Sequence, residues 1–157
     1  MAPTALVLGF GNVLLGDDGA GVKVVDHLRA KLSATRYECI DGGTMSFTLL
    51  PYVEAAQAML VADAAELHAP PGSVAMFEGV AMDDFLRSAR RRTVHEVGLI
   101  DLLDMARLLC CLPSRRALLC IQPGPIGWSE TLSPPVATAL PKAAALAAAV
   151  LGRWRQP

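Results

Sequence analysis

The chain has 157 residues, 53% of them hydrophobic, and a mean hydropathy of +0.40, which suits one domain, 1–157, with central strands buried on both faces. A formal net charge of −1 argues against a general nucleic-acid binder. No basic flank or long apolar stretch follows Met1, and Pro141 with Lys142 interrupts the Ala- and Leu-rich C-terminal segment. Neither a signal peptide nor a membrane-spanning helix is therefore expected, and the protein is placed in the cytoplasm with no membrane role.

In chain order, the apolar run 5–8 reads as a strand and leads into a glycine-rich loop, 9–21. A helix over 21–34 follows, with Val22, Val25, Leu28 and Leu32 on one face. A second strand, 37–40, runs into Asp41-Gly42-Gly43-Thr44. A helix over 46–56 is interrupted by Pro51, and 59–62 is a third buried strand ending at Asp63. The turn Ala69-Pro70-Pro71-Gly72 precedes a strand over 73–77. The stretch 83–92 is acidic and then basic, and its run 87–92 reads as a solvated helix end, with docking of an acidic partner as the other possibility. Helical spacing resumes over 95–112 and stops before Pro113; 117–121 is the last strand, and Ser133 caps a final helix that starts at Pro134. Alternating strands and helices predict a three-layer α/β sandwich: a mostly parallel twisted sheet with helices on both faces.

The glycine loop carries the strongest chemical signal. A dinucleotide fingerprint needs a third glycine where Leu14 stands. The spacing from Gly11 to Gly16 fits a phosphate loop, but Asp17 and Asp18 occupy the places of the Lys and Ser or Thr that hold phosphates and magnesium. Adjacent carboxylates repel phosphate and attract cations.

In an open α/β sheet the site lies beyond the carboxyl ends of the strands. Asp17 and Asp18 follow the first strand, Asp41 ends the second and Asp63 ends the third, while His95 opens a later helix as a nitrogen donor. Carboxylates with one imidazole suit a borderline divalent ion such as nickel or zinc. Each residue also has an ordinary use: Asp18 or Asp63 as caps, Asp41 as an Asx turn on its own Gly-Gly, His95 as a helix-end histidine. His27 and His68 read as solvent-facing. Cys39, Cys110, Cys111 and Cys120 lack paired spacing and read as reduced core thiols. No nucleophile elbow or His-Glu-x-x-His motif is present.

Five segments together resemble the endopeptidases that mature the large subunit of nickel-iron hydrogenases. They are the run from Leu8 to Gly21, Asp41-Gly42-Gly43-Thr44, Val61-Ala62-Asp63-Ala64, His95-Glu96-Val97-Gly98-Leu99, and Ile121-Gln122-Pro123 with the stretch from Trp128 to Pro134. The resemblance runs nearly end to end. It implies a hydrolase that removes a C-terminal peptide from the hydrogenase large-subunit precursor after nickel has entered its cysteine cluster. It implies that Asp18, Asp63 and His95 contact that nickel, which the precursor carries and the enzyme reads. Some members of the family have Glu at the first of these positions, so Asp18 is a shorter ligand here. Asp41 and Asp17 take supporting roles, either one a candidate general base for attack by water. A monomer in transient contact with its substrate is expected. The alternatives are a module that binds the nickel-loaded precursor without cutting it and, further off, a nucleotide-binding α/β enzyme.

Overall fold

Ala5 to Phe10 is buried at every residue, as a strand covered on both faces must be. The computed structural model describes residues 5–45, 47–90 and 97–155. Strand β1 (Ala5–Phe10) is followed by helix α1 (Ala20–Arg29), β2 (Tyr37–Gly43), α2 (Leu50–Ala55), β3 (Ala58–Ala64), β4 (Val74–Glu78), α3 (Val80–Arg90), α4 (Val97–Leu108), β5 (Arg115–Ile121) and α5 (Pro134–Arg153). Short 3-10 turns occupy Gly16–Gly19 and Phe47–Leu49.

The five strands stand in the order β2-β1-β3-β5-β4. All neighbours are parallel except β4, which runs antiparallel to β5 at the edge. Because side chains alternate along a strand, the sheet feeds two cores. Ala5, Val7, Leu60, Ala62, Ala117 and Leu119 meet α1 and α5 on one face. Leu6, Leu8, Met59, Val61, Leu118 and Cys120 meet α2, α3 and α4 on the other. The three layers are those expected from the alternation of elements.

Several boundaries differ from the sequence reading, each for a local reason. The first helix stops at Arg29 rather than running to Ala34: the Leu28 carbonyl accepts from the N–H groups of Lys31 and Leu32, and that of Ser33 from Arg36 and Tyr37, which turns the chain into β2. Pro51 does not interrupt α2 but sits in its first turn, where a missing N–H costs nothing. The run 87–92 is a solvated helix end as far as it is described, with Arg87 and Ser88 exposed. The residues before it belong to a full helix, α3, whose Met82 is completely buried and whose Phe85 stacks on Phe77 of β4 at 4.3 Å. Arg116 of β5 forks onto Asp83 of the same helix at 2.6 and 3.1 Å. That hydrogen-bonded guanidinium holds the Asp83 carboxyl below its usual range and raises Arg116 in turn.

Pro141 does not break the last helix either: α5 runs through it for 20 residues. By length and composition α5 is the one helix among the described residues that could cross a membrane. Here its Val136, Ala143, Ala147 and Val150 are buried against α1 and the sheet. The thiols are less uniform than expected. All four cysteines are free, but only Cys120 is fully buried, whereas Cys110 is exposed beyond the end of α4 at a φ of 55°.

Candidate active site

Strands β1 and β3 are parallel neighbours, with Gly9 opposite Ala62, so the segments that leave them emerge at one edge of the sheet. From β1 the chain winds outward to β2; from β3 the sheet continues the other way, to β5 and β4. The strand order reverses between β1 and β3, and there a crevice must open. It holds a cleft of about 160 Å³, lined by Gly11 and Asp18 of the glycine loop, Gly43 and Thr44 at the end of β2, Asp63 of β3 and Gly98 at the start of α4.

The loop reaches this shape through its glycines and one asparagine. Gly11 has a φ of 121°, and a Cβ there would overlap the Asp18 carbonyl, so only glycine lets the loop fold back on itself. A Cβ on Gly21 would overlap the Ala62 carbonyl, which is how closely α1 lies on the sheet. Asn12 turns the loop by accepting from the Leu14 N–H at 2.9 Å. Its own N–H donates to Asp18 Oδ2 at 2.9 Å. In a phosphate loop such an N–H would face the ligand; here a carboxylate of the same loop takes it.

Asp17 and Asp18 point to different work. Asp17 is 2% exposed and lies outside the cleft lining. Its Oδ1 accepts from the Ser133 N–H at 2.7 Å, and its Oδ2 from the Gly124 N–H at 2.8 Å and the Ser133 hydroxyl at 2.6 Å. Ser133 precedes α5 without capping it through its side chain; the hydroxyl serves Asp17 instead. The Gly16 N–H donates to the Ser129 carbonyl at 2.7 Å and the Ser129 N–H to that of Leu14 at 3.0 Å. The segment between β5 and α5 is thereby sewn to the loop that carries Asp18.

Asp41 is exposed and does not line the cleft. Its Oδ1 accepts from the Gly43 N–H at 2.8 Å, an Asx turn that stabilises the left-handed Gly43 at φ 53°. The Gly43 carbonyl in turn accepts from the Gly11 N–H at 2.8 Å, so this turn braces the glycine loop. Asp63 is half-buried in β3, paired in register with Cys120. His95 lies outside the described residues. Among the described residues no three His, Cys, Asp or Glu side chains gather as a metal site; those lining the cleft are Asp18 and Asp63.

Gln122 entered the sequence reading only within Ile121-Gln122-Pro123, without a role of its own. It is 6% exposed; its Oε1 accepts from the Leu67 N–H at 2.6 Å and its Nε2 donates to the Pro123 carbonyl at 3.1 Å. It fixes the chain just beyond β3. The available signal was a polar residue directly following an apolar strand.

A family model described as hydrogenase maturation protease matches residues 22–150. The chain belongs to the hydrogenase maturation protease family. This maturation endopeptidase is 33% identical over 151 residues to the hydrogenase expression/formation protein HupD of Rhodobacter capsulatus, covering 95% of this chain and 71% of that protein. Its fold superposes on the hydrogenase maturating endopeptidase HybD from Escherichia coli with a TM-score of 0.85 and 27% identity, covering 95% of this chain and 92% of the other. The NiFe hydrogenase maturation protease HybD from Thermococcus kodakarensis gives a TM-score of 0.78 at 27% identity, covering 93% and 97%. The endopeptidase thus shares its overall fold with both.

Proposed function

We propose that this endopeptidase removes the C-terminal extension of a nickel-iron hydrogenase large-subunit precursor, in the cytoplasm and as a monomer, once nickel has been inserted. The nickel belongs to the precursor, and the enzyme reads it with Asp18, Asp63 and His95. One observation carries the reading: Asp18 and Asp63, 45 positions apart, line one cleft at the switch point of the sheet, and Gly98, three residues after His95, lines it too. Two carboxylates and an imidazole suit a borderline divalent ion. Only a loaded precursor offers the ion, so coordination licenses cleavage and seats the scissile bond at the cleft.

Among the described residues neither serine nor cysteine lines the cleft and Thr44 is its one hydroxyl, which favours direct attack by water over a covalent intermediate. Asp17, with both oxygens engaged, is poorly placed to accept a proton. Asp41, two residues before Gly43 of the cleft lining, accepts the turn's hydrogen bond at Oδ1 and is the better general base of the two. The test is intact mass of the nickel-loaded precursor incubated with this protein, beside a nickel-free control. Loss of a C-terminal peptide from the loaded form alone is the expected result. An unchanged mass with the correct partner would leave a protein that binds the loaded precursor without cutting it.

A further inference from the structure

At the opposite end of the sheet, where the strands begin, lies a second recess of about 240 Å³. The turn before β2, the starts of β1, β3 and β5, and the end of α5 all contribute to it. Its floor is apolar: Ala5, Ala58 and Leu151 are each at most 3% exposed. Arg36, Arg115 and Arg155 stand around that floor, and among the described residues no carboxylate lines it. Among the described residues none of these three arginines forms an ion pair. Arg115 is held in place, since its Nη1 donates to the Trp154 carbonyl at 2.9 Å and Trp154 lines the same recess.

Three cations around an apolar floor repel one another, in a chain whose net charge is −1. An anion relieves that repulsion, and the planar guanidinium fork matches carboxylate and phosphate oxygens. Trp154 adds a half-buried aromatic ring on which a flat body can rest, with the buried Tyr37 beneath the recess. A cavity on the order of 150 Å³ suffices for benzene, so the recess has room for one ring with its charged group. We infer that it binds a small organic anion, a phosphate or carboxylate joined to a flat apolar body. The recess shares no lining residue with the cleft, so this inference stands or falls separately from the peptidase reading.

The chain has two tryptophans, so Trp128→Phe leaves Trp154 as the only indole reporter. This full-length variant is titrated at fixed ionic strength with phenyl phosphate, benzoate and neutral benzyl alcohol, following indole emission. A saturable response to at least one of the two anions and none to benzyl alcohol is expected, and the stronger anion identifies the headgroup class. Arg115→Gln raises the apparent Kd by about tenfold or more, the scale of one lost charge-assisted hydrogen bond, while Asp63→Asn leaves it unchanged. Arg155→Gln, beyond the end of α5, supplies the same comparison if Arg115→Gln does not fold. Benzyl alcohol binding as tightly as the anions, absence of a saturable response to either anion, or an undiminished response in the folded arginine variants would overturn the inference.

Discussion

Asp17 and Asp18 are chemically identical neighbours, and the fold separates their tasks. The three donors on Asp17 come from residues more than a hundred positions away, so its carboxylate acts as a suture. Asp17→Asn sets an amide NH₂ against those donors, and the expected cost is about 2–3 kcal/mol, measured as a lowered urea midpoint. Asp18 lines the cleft with Asp63. Asp63→Asn and His95→Ala are expected to abolish processing of the loaded precursor with the thermal unfolding transition retained; loss of cooperative folding in both would remove them from the site. In the sequence only the family resemblance separated Asp17 from Asp18, giving Asp18 the metal contact and Asp17 a supporting role without saying what Asp17 holds. That role depends on Gly124 and Ser133, which only folding brings to Asp17.

At the scale of elements, the charge-rich stretch from 83 shows how much a local charge pattern leaves out. Its Asp and Arg residues look solvated, yet Met82, Phe85 and Leu86, spaced at i, i+3 and i+4, form the face that packs on the sheet. The Asp83–Arg116 pair pins this helix to β5. Since the folded Asp83 binds its proton less readily than the unfolded one, the pair's stabilisation is complete above the ordinary carboxylate pKa of 3.8 and is lost as pH falls through the lower folded value. Urea unfolding of the wild type and Asp83→Asn should therefore differ at pH 7 and converge as the pH falls below the carboxylate range. Pro141 poses the reverse case: the helix continues past it at the loss of a hydrogen bond. Pro141→Ala is expected to raise stability by about 1–3 kcal/mol, read from the same denaturation curves.

For the whole molecule, the two cores are separate in space but share β1, β3 and β5. Leu60→Ala on one face and Leu102→Ala on the other are each expected to cost about 2–5 kcal/mol. Circular dichroism and tryptophan fluorescence should still report one coincident transition, since neither core can lose its sheet alone. Sequence by itself determined the α/β class, the order of most elements and the acidic character of the glycine loop, because burial on both faces and tight turns leave apolar runs and glycines that are legible locally. Tertiary structure decided the strand order and the antiparallel edge strand β4. It also brought Asp18 and Asp63 to one cleft, Asp17 to the segment before α5, and three arginines to the far end of the sheet. These are contacts between residues tens to more than a hundred positions apart, set by which strands pair and which loops share an edge, and no local run of residues encodes them.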